Sequence, residues 1–324
     1  MIPLHRMSSR PILPYAGIRF GCRRGRSLLP IRQIAAIAAL IAAGPSAFLL
    51  SASASAQEDE TKTDRGSTLD TNTLGISSTP DAESSSFLGQ GTSITLGVGP
   101  EIAPAYDGAK KFKVSPFPYL DVRGLFDDRV FLSTTRGLGV NVLDLGPLKA
   151  GLSVSYNTGR ISSDSPRLRG LSNLNGGPVA AGFITYELEP FSFELKLENT
   201  FGPNPGAEAS FGMSYALTPI PRLHLSIGPQ VTWADRRYDK SNFGVSPSEA
   251  ALATAEGNPM QAYSPGSGLK GVGFSATGVY QLDERWGLAG HLGLSDLVGS
   301  AAKNSPLTQR RFQPSFAFGG LYRF

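Results

Sequence analysis

Hydrophobic and polar residues alternate with a period of two along most of the stretch from Gly91 to Phe324. The run FSFELKLEN places Phe191, Phe193, Leu195 and Leu197 on one side, with Ser192, Glu194, Lys196 and Glu198 on the other. RLHLSIGPQVTW separates Leu223, Leu225, Ile227, Val231 and Trp233 from Arg222, His224, Ser226, Gln230 and Thr232. RWGLAGHLGLS separates Trp286, Leu288, Leu292 and Leu294 from Gly287, Ala289, His291, Gly293 and Ser295. Successive side chains of a strand point to opposite faces, so this period predicts strands that divide two environments. FGGLYRF keeps the alternation to the last position, with Phe316, Phe318, Tyr322 and Phe324 on one face. A loose tail would be polar and frayed; this one reads as a strand held in a sheet.

A soluble β-sandwich would alternate in the same way, so the connections decide. Tight turns are expected at Leu125 to Asp128, Leu145 to Pro147, Glu189-Pro190, Pro219 to Arg222 and Asp283 to Arg285. Between them fall longer polar connections at Ala103 to Lys113, Gly159 to Gly177, Ala234 to Gly268 and Asp296 to Arg310, and a shorter one at Phe201 to Gly206. Tyr119, Tyr186, Phe191, Tyr215, Trp233, Tyr280 and Trp286 sit near strand ends. Short turns alternating with long loops, with aromatics at the ends, is the pattern of an outer-membrane β-barrel. Keeping every long loop on one side requires the 129–145 run to split near Thr135-Arg136-Gly137, which gives twelve antiparallel strands, with ten as the alternative. The last strand must then pair with the first, and Phe316, Phe318, Tyr322 and Phe324 face lipid on the closing strand.

Composition agrees once the N-terminal segment is set apart. The whole chain carries a formal charge of +4. Residues 1–56 hold seven arginines and no acid, an apolar run from Ile34 to Leu50, and the small-x-small sequence Ala54-Ser55-Ala56. Those parts make a secretory signal peptide. Removing its seven arginines leaves 23 basic residues against 26 acidic, a net charge of −3. Nucleic-acid binding then has no electrostatic basis. The lone cysteine, Cys22, leaves with the signal, so neither disulfides nor thiol chemistry is expected. Residues 57–90 are rich in Ser, Thr, Asp and Glu and too poor in apolar groups to fold, which predicts a disordered acidic lead on the periplasmic side ahead of a barrel over 91–324.

Chemistry is sparse in the barrel region. Its histidines, His224 and His291, fall on lumen positions without a metal-ligand spacing or a motif-marked partner, and read as polar filling. No catalytic residue, cofactor or metal is expected. Glu194, Lys196 and Glu198, with Arg222 on the second strand beyond, form a mixed-charge lumen ladder. It serves either as salt-bridged packing or as the lining of a narrow channel. Lys110 and Lys111 on an outer loop could meet lipopolysaccharide phosphates. In the longest loop, SPSEAALATA predicts a short helix capped by Ser248.

GVGPEIAPAYDGAKKFKVSPFPYLDV, RGLGVNVL, SVSYNTGR, NFGVSP, YSPGSGLK, KNSPLTQRRF and the final YRF, in that order, resemble the MipA/OmpV family of Gram-negative outer-membrane proteins. The resemblance covers roughly Gly91 to Phe324. It implies an outer-membrane barrel without enzymatic activity, whose surroundings include membrane lipid, lipopolysaccharide and the barrel assembly machinery. It further implies a scaffold joining a murein-degrading lytic transglycosylase to a murein synthase. The channel for small solutes and a surface-exposed adhesin or antigen are the alternatives.

Overall fold

The structure, a computed structural model, describes residues 92–126 and 128–324. The expected signal peptide and acidic lead lie outside the described residues. Twelve strands follow one another: β1 (Ser93–Pro104), β2 (Phe112–Leu125), β3 (Val130–Ser133), β4 (Gly137–Leu145), β5 (Leu148–Arg160) and β6 (Leu174–Leu188), then β7 (Phe191–Thr200), β8 (Gly206–Ile220), β9 (Leu223–Ala234), β10 (Gly268–Gln281), β11 (Trp286–Asp296) and β12 (Phe312–Arg323). Each pairs antiparallel with its sequence neighbours, and β12 pairs with β1 to close the barrel. The expected split of the 129–145 run is present, with residues 134–136 turning between β3 and β4.

The connections sort by end. At one end lie the turns 126–129, 146–147, 189–190, 221–222 and 282–285; at the other lie 105–111, 134–136, 161–173, 201–205, 235–267 and 297–311. In bacterial barrels the short-turn end faces the periplasm. Among the described residues no helix is long and apolar enough to cross a membrane.

Alternation along each strand sorts the surfaces. Val98, Leu152, Ile184, Leu197, Val231 and Phe274 are exposed on the outside, while Ser153, Lys196, Ser210 and Thr277 are buried within. β2 departs from the expected belt. Its outward positions are Phe112, Val114, Pro116 and Pro118, so Tyr119 falls on the lumen side and sits 3.4 Å from Asp121 through its hydroxyl.

The hydrophobic core lies in the loops. Ala105, Tyr106, Ala109, Leu168, Leu171, Val245, Ala250 and Leu307 form one cluster, drawn from four of the connections at the long-loop end. Phe243, Leu297 and Ala302 form a second. Three helices contribute: α1 (Arg236–Phe243), α2 (Pro247–Ala255) and α3 (Ser300–Lys303). The predicted helix is α2, but its cap is Ser246 rather than Ser248. Pro247 fits the first helical position, and Ser246 and Glu249 cap each other's backbone amides in a capping box. Helix α1 was not foreseen; the signal was Asp235, whose carboxylate accepts from the Tyr238 amide.

The closing strand joins on both edges. Leu96, Val98 and Ile102 of β1 oppose Tyr322, Gly320 and Phe316, and Trp286, Gly290 and Leu292 of β11 oppose Tyr322, Phe318 and Phe316. The Phe324 amide donates to the Ile94 carbonyl at 3.0 Å. Its ring meets Tyr322 at 4.7 Å, and Tyr322 meets Trp286 at 4.8 Å. An unpaired backbone group in hydrocarbon costs several kcal/mol. Deleting Phe324 is therefore expected to lower the folded fraction several-fold, read as the heat-modifiable band on a denaturing gel; an unchanged fraction would contradict the closure argument.

Candidate functional site

Polar side chains converge in the lumen in two tiers. The lower tier is a cavity of about 220 Å³ lined by Tyr119, Phe131, Arg136, Phe183, Glu194 and Gln230, among others. The rings of Phe131 and Phe183 meet edge to face at 5.8 Å. Gly139 and Gly151 make room for them, since an added Cβ would lie 2.2 Å from Phe131 and 2.4 Å from Phe183. Over Phe183 stands the Arg136 guanidinium, 4.9 Å from the ring centroid, which also pairs with Glu194. Lys196 pairs with Glu198 at 2.8 Å.

Glu194, Lys196 and Glu198 thus line one side of the lumen, and each has an opposite charge beside it. Arg222 stands elsewhere: it lies in the 221–222 turn, exposed, and its guanidinium donates to the Leu282 carbonyl at 3.0 Å. The ladder of four expected from the sequence is therefore three strand residues plus Arg136. The turn residue takes a positive φ of 71° to reverse the chain, so its side chain leaves the strand alternation. His224 and His291 occupy inward positions of β9 and β11, each with a threonine hydroxyl at its Nδ1: Thr218 at 3.4 Å and Thr277 at 2.9 Å. Among the described residues no group of three or more His, Cys, Asp or Glu is arranged to hold a metal.

The upper tier is a cavity of about 240 Å³ beneath the loops, bounded by Tyr106, Asp107, Arg160, Tyr238, Lys270 and Gln230, among others. Its hub is Lys270. The buried ammonium lies 2.9 Å from Asp107 and 3.0 Å from Glu208, and donates to the Tyr238 hydroxyl at 2.7 Å. One cation thus ties the first loop, the start of β8, helix α1 and β10. Sequence alternation could not find it. Val272 and Phe274 face outward, which by parity would put Lys270 outward as well, but a bulge between Leu269 and Gly271 turns it inward. Glu208 was legible from the β8 alternation.

Beside this hub, both carboxylate oxygens of Asp239 are buried without a hydrogen-bond partner. Burial raises its pKa to about 6, with Lys270 pulling it down and Asp235 pushing it further up. The folded state therefore holds this proton more tightly than the unfolded chain, and the residue's contribution to stability falls as pH rises from about 4 through 6.

Two outcomes follow for the loop cap. Lys270→Met takes the shared ammonium from Asp107 and Glu208, and should destabilise the cap by about 3 kcal/mol; limited proteolysis within 235–267 should accelerate accordingly. Asp239→Asn should raise the unfolding midpoint at pH 7, with the advantage gone near pH 4. A constant difference across that range would show that the carboxylate is not the titrating group.

With the geometry in place, comparison with known proteins adds the lineage. The family model described as MltA-interacting protein MipA matches residues 96–324. No curated relative matches in sequence. Among solved structures, a loop L8 deletion mutant of OmpT, an outer membrane protein of Vibrio cholerae, is 8% identical, with 72% of this chain and 99% of that chain covered and a TM-score of 0.33. A bacterial polysaccharide outer membrane secretin is 9% identical, with coverage of 72% and 98% and a TM-score of 0.38. The anion-selective porin from Comamonas acidovorans is 10% identical, with coverage of 72% and 98% and a TM-score of 0.30. The chain is an outer-membrane β-barrel and belongs to the MltA-interacting protein MipA family.

Proposed function

We propose that this barrel is a non-enzymatic scaffold for murein-remodelling enzymes, a lytic transglycosylase and a murein synthase, which it holds at its short-turn end. The family match carries the partner class, since the family is described by its interaction with MltA. The form of the short-turn rim supports it as the docking face. Turns and strand ends are tied to their neighbours: Lys149 of β5 pairs with Glu187 of β6 at 3.1 Å, the Ala216 amide of β8 donates to the Pro190 carbonyl at 2.8 Å, and the Gln281 amide of β10 donates to the Arg222 carbonyl at 2.9 Å. The Arg323 amide closes the circuit on the Arg285 carbonyl at 2.7 Å. A rim so laced presents exposed charges such as Asp144, Glu189, Asp283 and Glu284 in fixed positions, and fixed groups lose little freedom on binding. The acidic lead at 57–90 would extend the same surface. Lumen charges that neutralise one another give the channel reading no observation of its own.

The test is capture in living cells with a photo-reactive residue at Glu284 on the rim, against the same residue at Leu252 in the cap. Recovery of a lytic transglycosylase or murein synthase from the rim position alone is expected, with less recovered after deletion of 57–90. Recovery of only the assembly machinery and lipopolysaccharide from both positions would overturn the scaffold.

A further inference from the structure

The barrel wall is low at one place. β2 opposes β1 along its whole upper length, from Phe112 to Arg123, but opposes β3 only from Asp121 downward. On the far side, β5 opposes β6 up to Arg160, but opposes β4 only up to Val154. Above the short β3–β4 hairpin, the edges of β2 and β5 therefore face one another with no strand between. Two missing strands at the usual spacing leave about 14 Å, and six residues of β5 make the opening about 20 Å tall along the strand. Turn 134–136 is its sill. Its lintel is the loop after β5, where Asp164 pairs with Lys113 at 3.0 Å and its carbonyl accepts from Lys111 at 3.2 Å.

The sequence of β2 fits an edge that stays unpaired. The Leu120 carbonyl accepts from the Thr134 amide at 2.8 Å, so even-numbered residues of β2 direct their backbone groups toward the opening. Two of the next four, Pro116 and Pro118, have no N–H to leave unsatisfied. The same prolines argue against an added strand, which would find amide donors only at Phe112 and Val114. Backbone at membrane depth is tolerated where it borders water, and the polar lumen lies directly behind. Outside, both jambs are apolar: Val114 and Tyr156 are 66% and 63% exposed, with Phe112 and Val154 beside them. At the outer rim Arg310 stands over the Phe112 ring at 5.7 Å, next to exposed Lys110 and Lys111.

We propose that this gap is a lateral opening through which an acyl chain of an outer-leaflet lipid reaches the lumen, its anionic headgroup held at the rim by Lys110, Lys111 and Arg310. The proposal is independent of the scaffold reading, whose surface is at the opposite end. It can be tested on the full chain folded into phosphatidylcholine vesicles containing phosphatidylglycerol with a diazirine on its acyl chain. After photolysis, labelled residues are mapped by mass spectrometry, with outward Phe316 as the control for insertion. Inward Ser115 and Phe117, beside the gap, should be labelled at least several-fold more than inward Ser275 and Ser315 on fully paired wall. Equal labelling at those four positions would overturn the proposal. So would efficient cross-linking of Val114→Cys to a second copy of the chain with no lipid label at Ser115, which would make the edge a protein interface.

Discussion

Hydrocarbon offers no hydrogen bonds to a backbone, so a strand crossing it must find partners on both edges. That constraint explains most of this molecule. It requires the first and last strands to meet, which fixes β12 against β1. It also forces twelve strands into one closed sheet whose outward face is apolar. Where the constraint is relaxed, above the β3–β4 hairpin, prolines stand at two of the four β2 positions whose backbone groups face the opening.

The same closure moves the usual hydrophobic core out of the sheet. A barrel whose outer face meets lipid and whose inner face meets water has little apolar surface left to bury internally. Among the described residues the largest fully buried side chains, Phe243, Leu168, Leu307 and Asp239, all belong to the loop cap. Lys270 ties the cap to the barrel, and the short-turn rim is held by bonds from turns to neighbouring strand ends. The molecule thus has two ordered ends of different character: a folded, partly apolar cap and a rigid, charged rim.

Fold class, strand number and most turn positions were legible in the sequence because all three follow from one local signal, the period of two. What local alternation cannot carry was lost. A single bulge reverses its parity, so alternation alone would turn Lys270 toward lipid. A turn residue escapes the alternation altogether, so Arg222 was assigned to a ladder in which Arg136 stands instead. Tyr119 read as a belt aromatic because the PFPY stretch hides the alternation, two prolines occupying the outward positions. Helix α1 carries a cap signal but no apolar run, and its burial depends on Leu297 and Ala302 from a distant loop. The partner class came from family resemblance and is not written in any spacing.

The central claim is the closing pair. It is tested most directly by introducing cysteines at Leu96 and Tyr322, which oppose one another across β1 and β12, in a chain with Cys22 replaced by serine. Directly opposed residues on antiparallel strands lie within disulfide reach, whereas a shift of two positions takes them out of it. The account predicts that the Leu96→Cys, Tyr322→Cys chain forms an intramolecular disulfide under mild oxidation in the membrane, while Leu96→Cys with Phe318→Cys does not. Bond formation by the second pair but not the first would contradict the register, and bond formation by neither would contradict the closure.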